Sequence, residues 1–157
     1  MIVEGTNRPA LTNAGSLKMN RGKDRLRFSV NGHATALVNE GMINMGKGRD
    51  QIDLVTGLLA GEGKIKLGPG NDLFSGFGQQ GMLNGGKGTD QLRLPTGRYE
   101  LRPEGKRWRI TRDERTMVIS NIETIGSQQT PEGSLLRIKD LDQPSTLIVD
   151  ESGISWT

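Results

Sequence analysis

Four aspartates stand at matched places in the first half of the chain. Asp24, Asp50, Asp72 and Asp90 each follow a glycine by nine residues, the glycines being Gly15, Gly41, Gly63 and Gly81. Three of them close turns that read Gly46-Lys-Gly48-Arg-Asp50, Gly68-Pro-Gly70-Asn-Asp72 and Gly86-Lys-Gly88-Thr-Asp90. A carboxylate is a hard oxygen ligand. Glycines in the turn let the backbone curl until its carbonyls face one centre. Two such turns stacked together offer the six or more oxygens that Ca²⁺ prefers. The predicted chemistry is cation binding by Asp24, Asp50, Asp72 and Asp90 with the backbone of Gly46, Gly48, Gly68, Gly70, Gly86 and Gly88. The plainer alternative is that each Asp caps its own turn by accepting backbone N–H groups.

The residues between these turns say what must hold them. An apolar residue follows each frame glycine by two (Leu17, Ile43, Ile65, Leu83) and each Asp by two (Leu26, Ile52, Phe74, Leu92). A register kept through four copies marks a stacked repeat. Period-two alternation turns these columns inward and their neighbours outward. Each copy therefore reads as two short strands joined by two turns. The stack is predicted to be all-β: a right-handed parallel β-roll, or β-solenoid, of about four coils. From each Asp to the next frame glycine there are 17, 13 and 9 residues, so all the extra length falls on the edge opposite the Asp turns. Those insertions are expected as loops or strand extensions.

The chain divides accordingly. Residues 1–12 read as an irregular N-terminal lead-in, 13–94 as the repeats, and 95–157 as a C-terminal β-strand cap. In the cap, Tyr99-Glu-Leu-Arg, Arg107-Trp-Arg-Ile-Thr and Met117-Val-Ile-Ser alternate polar and apolar residues between turn signals. A stack needs such a cover over its open end.

The frame Gly-x-Gly-x-Asp-x-(apolar) resembles the nonapeptide of hemolysin-type, or RTX, calcium-binding repeats, most nearly their cyanobacterial members. Gly85-Gly-Lys-Gly-Thr-Asp-Gln-Leu92 matches that motif at every specified position, Met45 to Ile52 and Leu67 to Phe74 miss one glycine, and Met19 to Leu26 misses two. The segment from Asp90 through Tyr99, with Val118-Ile-Ser-Asn-Ile-Glu-Thr-Ile, is similar to the tail that follows such repeats. The resemblance implies one Ca²⁺ between successive turns, at Asp50/Asp72 and Asp72/Asp90, with a weaker place at Asp24/Asp50. The opposite edge has glycine where the family would place Asp, so one row of sites is expected. The resemblance also implies a secreted or cell-surface, non-enzymatic structural or adhesion module, exported by type I secretion without an N-terminal signal peptide.

Other features set bounds. There is no Cys, so neither disulfides nor thiolate metal sites can form. The N-terminus lacks a basic stretch followed by an apolar run, and no apolar run is long enough to cross a bilayer. Gly76-Phe-Gly-Gln-Gln-Gly81 spells a dinucleotide fingerprint but lies inside the repeat frame with no following helix. His33, the only histidine, falls in an inserted segment and reads as a surface residue. Asp140 and Asp142 are too few for an EF-hand loop. Trp108 alternates with Arg107 and Arg109 and is expected to face the core or the end of the stack. Net charge is +3, and many Lys and Arg fall on outward strand positions. A second reading follows from them: an accessory module that binds acidic polysaccharide or a cell-surface polymer, with calcium only structural. No nucleic-acid partner and no enzyme groove is expected, and the sequence sets no oligomeric state.

Overall fold

Alternating apolar residues produce strands from end to end, and the repeat register pairs them in parallel. A computed structural model describes residues 1–5, 8–32 and 34–157, with residues 3–5 described by backbone alone. His33, singled out above, lies outside the described residues. The protein is all-β. Its one helical element among the described residues is a single 3₁₀ turn, Ile138–Asp140. No helix there is long and apolar enough to cross a membrane.

One sheet runs β1 (Ile2–Gly5), β5 (Arg25–Val30), β9 (Gln51–Leu54), β12 (Leu73–Ser75), β14 (Gln91–Leu94) and β18 (Thr124–Ser127), each parallel to its neighbour. A second runs β3 (Ser16–Lys18), β7 (Met42–Asn44), β11 (Lys64–Pro69), β13 (Gln80–Lys87) and β17 (Arg115–Ser120), also parallel. Register is strict: Leu26, Ile52, Phe74 and Leu92 form one inward column, Leu17, Ile43, Ile65 and Leu83 another. These side chains are fully buried, except Leu17 at the first layer, which packs partly exposed against the core. Between the sheets, at the Asp turns, β4 (Arg21–Gly22) pairs with β8 (Lys47–Gly48).

The extra residues between copies take the strand form: β6 (Thr35–Asn39) and β10 (Leu58–Ala60) build a third parallel ladder on β2 (Leu11–Asn13), which precedes the first copy. Asn13 and Asn39 stack at its end, the Asn13 amide donating to Asn39 Oδ1 at 2.8 Å, while Asn39 donates to the Lys64 carbonyl. Buried amides in register give the irregular corner its hydrogen bonds. The ladder ends where the spacing shrinks to its minimum, after β10, with a single bridge to Gly78.

Two boundaries also differ from the sequence reading. Residues 1–12 are not irregular throughout, because β1 extends the first sheet and β2 starts the third ladder. Nor does the layering stop at residue 94. β17 and β18 add a fifth layer to both long ladders, and the segment from 95 to 112 is an excursion between layers. That excursion is an antiparallel pair, β15 (Gly97–Glu104) and β16 (Arg107–Arg112), which continues the second sheet beyond β17 and makes it mixed. β20 (Ser145–Asp150) and β21 (Gly153–Trp156) extend it further, antiparallel, and β19 (Leu136–Arg137) closes the first sheet against β18. Tyr99 anchors the excursion. Its ring meets Phe77 edge-on at 5.1 Å, and its hydroxyl donates to the Pro95 carbonyl and accepts from Arg112.

Candidate metal centre

The Asp turns stack because their strands do. Gln51 pairs with Arg25, Leu73 with Gln51, and Gln91 with Leu73, so the aspartate before each of β5, β9, β12 and β14 falls into one line. Asp50, Asp72 and Asp90 are buried and Asp24 is half-buried. The carboxylates do not cap their own turns. Asp50, Asp72 and Asp90 each take the backbone N–H of the aspartate in the preceding layer: Asp50 Oδ1 from Asp24 at 2.8 Å, Asp72 Oδ1 from Asp50 at 2.7 Å, and Asp90 Oδ1 from Asp72 at 2.9 Å. The second oxygen, Oδ2, of all four is buried without a hydrogen-bond partner.

Glycine is required beside them for close approach. A Cβ on Gly48, Gly70 or Gly88 would overlap the carbonyl oxygen of Gly22, Gly48 or Gly70 in the layer before. Gly46, Gly68 and Gly86 adopt φ of 96°, 110° and 117°, which side chains resist. The turns are thus pressed together with carbonyl oxygens in line next to the carboxylates. Beside the last Asp turn, Asp90 Oδ2 and the Asn121 carbonyl both reach the place where a Cβ of Gly85 would stand, so the unpartnered carboxylate oxygen faces a second acceptor.

Electrostatics makes the column costly as it stands. At a layer spacing of about 4.8 Å, two ionised carboxylates repel by about 3.5 kcal/mol for an effective dielectric near 20. Desolvation, with the neighbouring carboxylate adding to it, raises the pKa of Asp50 and Asp72 above the ordinary carboxylate range, although each keeps one backbone hydrogen bond that favours the charge. Asp90 is pushed up to about 6, first by desolvation and then by Asp72 and Glu123. Lys23, Lys47, Arg49 and Lys87 are exposed, and among the described residues no Lys or Arg forms an ion pair with the column.

Glu123 is the member of the acidic line that the repeat pattern does not reveal. Thr124 pairs with Gln91, which puts Glu123 in the aspartate position of the fifth layer, and its Oε2 accepts the Asp90 N–H at 2.6 Å. No glycine frame precedes it. The only signal in the sequence is an acid directly before a strand. The predicted residues are thus brought together as one line on one edge. On the other edge the frame glycines are pressed on neighbouring backbone in the same way: a Cβ on Gly41 would strike the Gly15 carbonyl, and one on Gly63 the Gly41 carbonyl. A second row of aspartates has no room there.

A line differs from a cluster. Among the described residues no three His, Cys, Asp or Glu side chains gather round one point. A cation between two layers would have a carboxylate from each and would draw its remaining oxygens from backbone carbonyls. The orphaned Oδ2 atoms and the glycine cradle fit such an ion. No family profile, no curated protein and no solved structure matches this chain.

Proposed function

We propose that the chain is a calcium-binding parallel β-roll of the RTX type, a non-enzymatic structural or adhesion module of a secreted or cell-surface protein. One observation carries the reading: a column of four carboxylates whose Oδ2 atoms are all buried without a partner, three of them (Asp50, Asp72 and Asp90) with the other oxygen bonded to the preceding layer. Asp24, Asp50, Asp72 and Asp90 would hold the metal with backbone carbonyls of the turns at Gly46, Gly48, Gly68, Gly70, Gly86 and Gly88. Ca²⁺ bound there supplies the positive charge that offsets stacked carboxylates and ties each turn to the next. The β-roll interpretation is supported by the two long parallel ladders with their shared inward columns, about four glycine-framed coils followed by β17 and β18 as a further layer. The chain's own part is to hold the carboxylates in register, exclude water from them, and keep side chains out of the cradle.

Because a preformed site rarely exists in an unfolded chain, binding free energy becomes folding free energy. The module would then be weakly folded where calcium is scarce and firm outside the cell. The test is calorimetric Ca²⁺ titration of chelator-stripped protein, with Asp72→Ala in parallel. Asp72 lies between two intervals of the column, so the variant should lose most of the heat. Far-UV circular dichroism should gain β signal or thermal stability on adding Ca²⁺. A wild type with no saturable heat and an unchanged melt would leave the column as a metal-free hydrogen-bond ladder.

A further inference from the structure

The outer face of the first sheet carries a groove that runs beside the carboxylate column. It consists of two hollows of about 510 and 420 Å³ that meet at Gln51, Leu73 and Arg93. Gln128, Gln129 and Pro131 wall one side, and the edge of the Asp turns walls the other. Five cations line it: Lys23, Arg25, Arg27, Arg49 and Arg93. Against them stands Asp53, shared by Arg25 at 3.4 Å and Arg27 at 3.8 Å, with Asp50 and Asp72 of the column lining the hollow beside the turns.

Three observations say what it takes. Arg93 sits where the hollows meet, with Nε buried and unpartnered and Nη2 held only by a 3.5 Å contact to the Pro131 carbonyl. The guanidinium thus keeps N–H donors at its exposed Nη end that suit a sulfate or carboxylate. Next, the surface is more cationic than the net charge of +3 suggests: setting the four column aspartates aside leaves 14 of the 18 acids facing 21 cations. Finally, among the described residues no aromatic ring lines either hollow. Single-stranded nucleic acid binds on stacking platforms, which this groove lacks.

We propose that the groove binds an acidic polysaccharide laid along the layer direction, its anionic groups on Arg93, Arg49 and Lys23. From the layer of Arg25 to that of Thr124 it crosses four layer steps, about 19 Å at the usual strand spacing. Several sugar units fit that length. The cations are placed by the strands themselves.

The test is titration with heparin (sulfated) and polygalacturonate (carboxylated) at about 50 mM salt and upward, in calcium and in chelator. The variant Lys23→Gln/Arg49→Gln should bind on the order of ten-fold more weakly, with the salt slope reduced by about one for each cation removed. Lys64→Gln/Lys66→Gln takes the same charge from the exposed face of β11 in the other sheet and should bind within about two-fold of wild type. Arg93→Lys keeps the charge but loses the fork, so it should fall between wild type and Arg93→Gln. Circular dichroism checks the fold of each protein, and the exposed Lys23/Arg49 pair serves if Arg93 variants do not fold. Equal losses from the β11 pair, no binding by the wild type, or tighter binding of oligothymidylate or duplex DNA would overturn the proposal.

Discussion

Replacing Asp90 by Asn is the sharpest probe of the column. The change keeps the shape and keeps an oxygen for the Asp72 N–H, but it removes a buried charge and puts an amide donor beside the Asn121 carbonyl. Asp90 has its pKa raised from 3.8 to about 6. Each unit is worth about 1.4 kcal/mol, so its charge costs the cation-free fold on the order of 2 kcal/mol at neutral pH, allowing for screening near the turn edge. The sign follows from proton linkage. A raised carboxylate binds its proton more tightly in the folded chain, so the stabilisation it confers is present below about pH 4, fades as pH rises, and is gone above about pH 6. Asp50 and Asp72 push the same way. In chelator at pH 7, Asp90→Asn should therefore melt higher than wild type, by about 4–8 °C for a chain of this size. In excess Ca²⁺ the order should reverse, since the wild type gains about 2.7 kcal/mol per site at a hundred times Kd and the variant forfeits its share. Thermal melts by circular dichroism at pH 4 to 7, with and without chelator, read all of this. A variant less stable than wild type in chelator at pH 7, or a chelated wild type that firms up between pH 4 and 6, would show that the buried charge of Asp90 does not strain the cation-free fold.

Two further substitutions test the packing that holds the column. Gly41→Ala should cost about 2 kcal/mol or more, because its Cβ would strike the Gly15 carbonyl, whereas Gly15→Ala at the same place in the first layer meets nothing within 4 Å and should stay within about 0.5 kcal/mol; urea unfolding of both in excess Ca²⁺ compares them directly. Asn39→Ala should cost about 1–3 kcal/mol in the same assay, since it removes the buried donor to the Lys64 carbonyl and one of the two bonds of the Asn13 amide, which keeps the Met42 carbonyl.

The sequence is most informative where the chemistry repeats. Glycine, carboxylate and inward aliphatic recur at fixed offsets, so the strands of Ile43, Ile52, Ile65 and Phe74, the single line of aspartates and the all-β class are legible from spacing alone. Alternation also reveals the strands around Tyr99, Trp108 and Met117. Trp108 is half-buried, packs on the hydrophobic core, and lines a hollow together with Ile138 and Leu141. What spacing cannot reveal is pairing between segments that share no frame. β6 and β10 lie in insertions of different length, with Asn39 and Gly61 at the same corner, and only the folded register makes a ladder of them. Residues 2–5 have no turn signal linking them to Arg25–Val30. β17 and β18 are hidden for another reason: the antiparallel excursion of β15 and β16 interrupts the chain before the fifth layer is laid down.

That fifth layer explains where the column stops and where it is most strained. In the fourth layer six residues, 85–90, connect Asn84 to Gln91; in the fifth only three, 121–123, connect Ser120 to Thr124. A three-residue turn is too short to carry Gly-x-Gly-x-Asp, and Asn121 must enter the left-handed region, at φ 49°, to complete it. The longer Glu123 side chain reaches the Asp90 N–H that an aspartate would otherwise take. It satisfies that donor but adds a fifth negative charge below Asp90. Asp90 is therefore pressed from both sides, fully buried, with its free oxygen against a carbonyl. Asp24, at the other end, is half-buried and has a carboxylate neighbour on one side only. Positive charge gains most where anions are crowded and dry, and least where water already screens them. If the column takes up calcium as proposed, it should fill from the Asp90 end toward Asp24. The layers bearing the complete glycine frame would then be the ones a cation secures first.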